Sequence, residues 1–437
     1  MALGINEAGI VQRTEDGQTV LVRPSANGGP ETEIEAPVEL AEAGRLATGD
    51  VAHGEIEQIV VEGSPISPEV LEDESLGDEQ FDEPSAIRNR IIPEWIDARP
   101  ILRERLVSIH TINGLPFHLA EDRPFPRTRR SHTERSTPDR RLRIATSDAD
   151  QTGRILDFAA PLAAGSMGII YGPHGSGLTY TLRCLMAGIC LNAPDCVTIA
   201  LLLRARSEEA TYWRRAFVNS DIVVCPSASS GATPQQVLRI ANLTLEAAQR
   251  QTELGRDVVL LVDSLTGLWG AMLEEEGADA QLQADRSIAR QRLREWVHRA
   301  GCFHGVTPLG GSLGGSLTII GAVWDQVYDI EEEEEKELHP HLRLMEHLLP
   351  ESSWRVPLSG GLAVQRIFPA INIKDCFSQY EESVLPPELF RALAQARGNL
   401  PRGEPFECYE RTTSALAESA GELEFTSKLI RDDSGVT

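Results

Sequence analysis

The stretch that most narrows the choice of fold runs from Ile169 to Thr181, IIYGPHGSGLTYT. The apolar run from Met167 to Tyr171 reads as a buried strand. It breaks into the turn Gly172, Pro173, His174, Gly175, Ser176, Gly177, and a helical pattern opens at Thr179. Strand, Gly-rich turn and helix in this order make a phosphate-binding loop, spaced G-x-x-x-x-G-K-[ST], or, for the loop taken alone, a plain Gly-rich turn. Gly172 and Gly177 keep the interval, and Thr179 stands where a hydroxyl would meet Mg²⁺. The lysine is missing, because Leu178 takes its place.

From Gly153 onward, strand and helix patterns alternate. CVTIALLLRA and DVVLLVDS are continuous apolar runs, as in parallel strands covered on both faces. Between them, Pro234 to Leu254 carries apolar residues at helical spacing, and SLTIIGAV supplies another buried strand. The alternation predicts an α/β domain with a mainly parallel sheet near residues 150–380. Asp263 ends the run VVLLVD and is expected at the tip of a neighbouring strand, holding Mg²⁺ beside the loop; a helix cap is the plainer role for such an Asp.

Ahead of this domain, residues 7–61 alternate short β-prone runs (GIVQR, TVLVRP, ETEIEAP, EIEQIVVEG) with turns rich in Gly and Asp. Period-two alternation of this kind predicts a small β-barrel of about five strands. Ser64 to Pro84 is acidic and reads as a linker, and residues 86–120 read as mixed and partly helical. Arg123, Arg127, Arg129, Arg130, Arg135, Arg140, Arg141 and Arg143 then make one basic stretch, with Pro, Ser and Thr between them. It reads as a solvated arm, a nucleic-acid contact, or a counterweight to the acidic linker. The expected division is 1–63 barrel, 64–150 linker and Arg-rich connection, 151–385 α/β domain, and 386–437 helical extension and tail.

A net charge of −25 sets the whole surface against nucleic acid and anionic membrane unless basic groups gather locally. The seven cysteines form no CxxC pair, as expected of reduced thiols in a cytoplasmic protein. The start, MALGINEAGIVQRTEDG, lacks the pattern of a secretory signal, and no apolar run is long enough to cross a bilayer.

Residues 153–165 (GRILDFAAPLAAG), the turn, NAPDCVTIALLLRARSEEAT, DVVLLVDSLTGL, GGSLTIIGAV and QRIFPAIN resemble, in this order, the ATPase core of the bacterial transcription termination factor Rho family. The resemblance covers roughly residues 150–375. DGQTVLV, LATGDVAHGEIEQ and FDEPSAIRNRI are similar, more weakly, to that family's RNA-binding barrel and the connection after it. The resemblance implies a RecA-like P-loop core with an N-terminal OB/cold-shock-like barrel, a ring of six, and RNA drawn through its centre. ATP and Mg²⁺ would sit between subunits. It assigns nucleotide binding to Gly172, Gly175, Gly177, Thr179 and Phe368, with Phe368 stacking on adenine. Mg²⁺ falls to Thr179 and Asp263, and the subunit interface to Arg206 and Arg366.

The departures from the family fall on its chemistry. Leu178 replaces the lysine, whose attraction for a phosphate oxygen is worth about 4 kcal/mol at intermediate dielectric, against about 0.3–2 kcal/mol from a helix N-terminus. Arg204 and Ala205 replace an acidic pair, and alanine cannot orient or deprotonate water. Glu208 and Glu209 follow as helix-start acids. Gln379 replaces the arginine finger, and Lys374 nearby lacks the bidentate fork. The barrel's stacking aromatics become Gln18 and Val20, and the pore loop carries Asp329 and Glu331 to Glu335 before Lys336. The expectation is a Rho-like protein that keeps the fold, binds ATP and Mg²⁺ weakly or not at all, and has lost or weakened hydrolysis and RNA binding. Its role would be binding or regulatory, as a homo-hexamer, a mixed ring with an active relative, or part of an RNA polymerase assembly. An active divergent RNA-dependent ATPase and a nucleotide-independent scaffold are the alternatives.

Overall fold

The computed structural model describes residues 2–14, 16–25, 29, 31–61, 101–118, 134–203, 205–225, 232–276, 283–306, 312–324, 342–401 and 405–431. The N-terminal unit contains β1 (Ile10–Arg13), β2 (Thr19–Arg23), β3 (Thr32–Glu35), α1 (Val38–Ala43), β4 (Ala52–Val61), β5 (Ile101–Ile112) and β6 (Leu115–Pro116). The strands lie in the order β1-β2-β3-β5-β4, with β6 paired to β5 and with β3 and β5 parallel. An antiparallel bridge from Ile10 to Val51 joins β1 back to the approach of β4, so the two ends of the sheet meet. Val11, Leu21, Ile34, Leu46, Leu106, Ile109 and Ile112 fill its interior.

Residues 101–116, read from sequence as partly helical connection, are thus a strand hairpin of this sheet. Asn113 and Gly114, both at positive φ, form its two-residue turn. The helical impression has a physical source. Register shifts opposite β5 break the period of two, so buried Leu106, Ile109 and Ile112 fall three apart.

The larger unit is built on a sheet of order β12-β11-β13-β15-β10-β16-β17. Its strands are β10 (Met167–Gly172), β11 (Val197–Leu202), β12 (Asp221–Val224), β13 (Asp257–Asp263), β15 (Ser312–Trp324), β16 (Trp354–Pro357) and the edge strand β17 (Phe377–Ser378). All pair in parallel except β17; β14 (Gly301–Val306) and β7 (Glu134–Ser136) add antiparallel edges. Alternate residues of each apolar run go to opposite faces. Ile170, Ala200, Leu202, Leu261 and Ala322 enter one core with α2 (Gln151–Ala159), α3 (Leu178–Asn192) and the C-terminal helices. Ile169, Ile199, Leu201, Leu260 and Val323 enter the other with α5 (Pro234–Glu253), α6 (Leu265–Glu275) and α7 (Gln283–Val297). Burial on both faces is why these strands read as unbroken hydrophobic runs.

The second core also takes in Leu3, Ile5, Ile10 and Val22 from the N-terminal unit. Polar contacts fix the junction. The buried Asp221 carboxylate accepts from the Leu3 N–H and, at 2.9 Å, from the Ile5 N–H. Arg239 on α5 donates to Gln12 and Glu33, and Arg250 to the Thr48 carbonyl at 3.0 Å.

In the described half of the Arg-rich stretch Arg135, Arg140 and Arg141 are structural, which corrects the solvated-arm reading at those positions. Arg140 pairs with Asp195 and Asp257, Arg141 with buried Asp157 and Glu422, and Arg135 donates to the His298 carbonyl. Arg143 is exposed, and Arg123, Arg127, Arg129 and Arg130 lie outside the described residues. At the C-terminus, helices 387–398, 405–417 and 422–431 close over α2, where Phe425 meets Phe158 edge-on at 4.9 Å. All seven cysteines are free thiols. Among the described residues, no helix is long and apolar enough to cross a membrane.

Candidate functional site

The Gly-rich turn joins β10 to α3 as its spacing predicts. Gly175 and Gly177 sit at φ +81° and +97°, a region that side-chain-bearing residues rarely adopt. Gly177 is also the N-cap of α3 and supplies no capping side chain, so the first N–H groups of the helix are open to an anion. Inside the turn, Ser176 is buried and its Oγ has no hydrogen-bond partner among the described residues. That oxygen lies 3.0 Å from where a Cβ on Gly172 would stand.

Leu178 opens α3 with only 5% of its surface exposed, within the apolar core that holds Ile170, Leu182 and Leu202. The helix starts one residue earlier than its pattern suggested, at Leu178. Thr179 next to it donates its hydroxyl to the Asp263 carboxylate. Burial pushes the Asp263 carboxyl up to about 6; the Thr179 hydrogen bond and Arg183 oppose the rise, while the negative charge of Glu209 adds to it.

Asp263 stands at the end of β13, which is not the strand beside the loop. β15 lies between β13 and β10, so the acid comes from the next strand but one. The capping role falls on Ser264, whose Oγ accepts from the Gly267 N–H at 3.0 Å and leaves Asp263 facing Thr179. Thr179 and Asp263 thus form the hydroxyl–carboxylate pair that would hold Mg²⁺, and the backbone of the turn suits a phosphate. The cation of such a site is what its residues do not provide at position 178.

Phe368 is 41% exposed, and its ring lies 3.5 Å from the Cβ position of Gly177. Tyr409 anchors its backbone by donating to the Phe368 carbonyl at 3.1 Å. Arg366 is exposed at φ +61°, and Arg206 is exposed at the N-cap of α4 (Ser207–Ala216). Ala205 is partly buried against the core, and Arg204 lies outside the described residues. Gln379 is exposed beyond β17. Lys374 donates to the Leu400 and Pro401 carbonyls at 3.4 and 2.7 Å, which ties its ammonium to a helix end.

Sequence reasoning missed the second carboxylate. Glu209, taken as a helix-start acid, is close enough to act on Asp263, and Arg183 is drawn into the same cluster while stacking on Tyr212 at 4.4 Å. Helical spacing carried the signal. Thr179 and Arg183 are four apart on α3, and Glu209 and Tyr212 three apart on α4. His174, to which the sequence motif assigns no role, sits exposed on the turn, its ring edge-on to Trp324 at 6.0 Å.

Of the positions expected to have lost RNA contacts, Gln18 is exposed, whereas Val20 packs against the core shared with the α/β unit. The outer face of β1 and β2 is therefore covered by the larger unit. Asp329, Glu331 to Glu335 and Lys336 lie outside the described residues.

No family model matches the sequence. The chain is 30% identical over 295 residues to transcription termination factor Rho of Buchnera aphidicola subsp. Schizaphis graminum, covering 65% of this chain and 64% of that protein. It is 32% identical over 246 residues to the Rho of Buchnera aphidicola subsp. Acyrthosiphon pisum, covering 56% and 54%. Against the Rho of Thermotoga maritima it is 28% identical over 338 residues, covering 74% and 70%. The chain thus spans less than two thirds of the length of the two Buchnera relatives.

Among solved structures, a prototypical ATPase from the type III secretion system of pathogenic bacteria superposes with a TM-score of 0.51 at 17% identity, over 68% of this chain and 86% of that one. The assembled type III secretion ATPase EscN of enteropathogenic E. coli gives the same TM-score and identity, over 68% and 72%. At that identity the likeness is one of fold alone. At 25–32% identity over roughly half to three quarters of the chain, the Rho relatives support a Rho-like family for it, with divergence.

Proposed function

We propose that this protein is a Rho-type, RecA-like ATPase-fold member that retains a cradle for nucleotide phosphate and has lost or weakened ATP hydrolysis and RNA translocation. Its role is then binding or regulatory, within a ring of its own copies, a mixed ring with an active relative, or an RNA polymerase assembly. The observation that carries this reading is Leu178, buried in the core where a phosphate-binding loop needs its lysine. Gly172, Gly175, Gly177 and Thr179 would hold phosphate, Thr179 and Asp263 Mg²⁺, and Phe368 the base. Arg206 and Arg366 face outward, as residues at a subunit boundary would.

Ala205 and Gln379 supply neither a base nor a guanidinium, which supports slow or absent hydrolysis. The order β1-β2-β3-β5-β4 with parallel β3 and β5 supports an OB/cold-shock-like barrel in the N-terminal unit. Its outer β1–β2 face is packed away, which supports weak RNA binding there.

Glu209 favours a second reading. A carboxylate close enough to raise Asp263 could take the part of the missing base, which would make the chain an active, divergent RNA-dependent ATPase. Phosphate release from Mg²⁺-ATP, with and without single-stranded RNA, decides between the two. We expect no stimulation by RNA; RNA-stimulated turnover that disappears in Glu209→Gln would establish the second reading.

A further inference from the structure

We propose that the His174 imidazole is the side chain through which this loop holds a phosphate, in the place left by the lysine. The inference rests on the reading of the Gly-rich turn as a phosphate cradle and names the side chain that partners it. Three observations carry it. First, the turn itself bears His174, exposed on its outer bend between Pro173 and Gly175. Second, the ring has a fixed neighbour: Trp324, edge-on at 6.0 Å, ends β15, and Gly172 pairs in register with Trp324. The imidazole is therefore held on the side of the loop toward β15 and, beyond it, the β13 tip that carries Asp263, with Glu209 and Arg183 acting on that acid. Third, the turn is built around a polar interior, since Ser176 is 1% exposed and its Oγ has no hydrogen-bond partner among the described residues. Buried hydroxyls are almost always satisfied, so an orphan inside an anion-binding turn points to an acceptor supplied by the ligand.

Two described cations of this region are committed. Arg183 stacks on Tyr212 and acts on Asp263, and Lys374 donates to two carbonyls. A neutral imidazole donates one N–H to phosphate oxygen and a protonated one donates two. A hydrogen bond with a charged partner is strong enough to shift affinity by about tenfold or more. The ligand class is therefore a compound with a diphosphate or triphosphate group, held by backbone N–H groups, Ser176 and His174.

The test is calorimetry on the full chain with pyrophosphate and with ADP, without divalent metal, for the wild type, His174→Ala, His174→Arg and Leu178→Lys. Melting curves establish that each variant is folded. The expected result is at least about tenfold weaker pyrophosphate binding in His174→Ala, with affinity kept in His174→Arg. The proton NMR signal of the imidazole Cε1–H in the wild type should also move on titration with pyrophosphate. Unchanged affinity in His174→Ala, or an imidazole signal that stays put, overturns the inference and leaves the cradle reading standing. So does a wild type that binds nothing while Leu178→Lys binds. If neither the wild type nor Leu178→Lys binds pyrophosphate, the cradle reading falls and takes the inference with it.

Discussion

Replacing Asp263 by asparagine should make this protein more stable, although the residue lies at the heart of its candidate site. Burial raises the Asp263 carboxyl from an ordinary 3.8 to about 6, so the folded chain holds a proton there more tightly than the unfolded chain does. Between those two values the folded state binds more protons, and its stability falls as pH rises through the window and levels off above about 6. A displacement of about two units corresponds to about 3 kcal/mol of lost stability at pH 8, or about 2 kcal/mol once solvent at the partly exposed strand end is allowed for. Asparagine carries no charge to desolvate, and its Oδ1 can still accept from the Thr179 hydroxyl. Urea unfolding of both proteins from pH 8 to pH 5, without divalent metal, measures the gap. The expected result is a variant about 2 kcal/mol more stable at pH 8, with the advantage shrinking by roughly half at pH 5. A variant less stable than the wild type at pH 8, or a gap that does not change with pH, would refute the reasoning.

Gly177→Ala forces an L side chain to φ +97° with Phe368 as its neighbour, and should cost about 1–2 kcal/mol in denaturant unfolding while weakening pyrophosphate binding. Asp221→Ala strips the Leu3 and Ile5 N–H groups of their buried acceptor, for a loss of about 2–5 kcal/mol; the fluorescence and circular dichroism transitions should then separate if the N-terminal unit comes loose first. Asp157→Ala leaves Arg141 with Glu422 alone and two buried N–H groups, of Ile144 and Ala145, unpaired, for a loss of about 3–5 kcal/mol by urea unfolding.

The parallel sheet was legible because strands buried on both faces must be apolar at every position, and VTIALL and DVVLLVD show this without ambiguity. The turn was legible from the interval between Gly172 and Gly177. What sequence reasoning could not supply was lateral order. Nothing local says that β15 runs between β10 and β13, since that is decided by the long connections from Gly172 and from Asp263 to Ser312. The hairpin at Asn113 and Gly114 had a plain turn signal, hidden because bulged pairing spaced its buried residues as a helix would. Arg140 and Arg141 read as arm residues because their acidic partners, Asp195, Asp257, Asp157 and Glu422, are scattered over the chain. Glu209 fits the dipole of α4 as well as it fits Asp263, so its second neighbour was visible only in three dimensions.

The seam between Val20, Val22 and the larger unit constrains what position 20 can become. A bulky ring there would find no open face, because the valine serves as mortar between two walls. Enlarging it would mean prising those walls apart first, and each intermediate step would weaken the building.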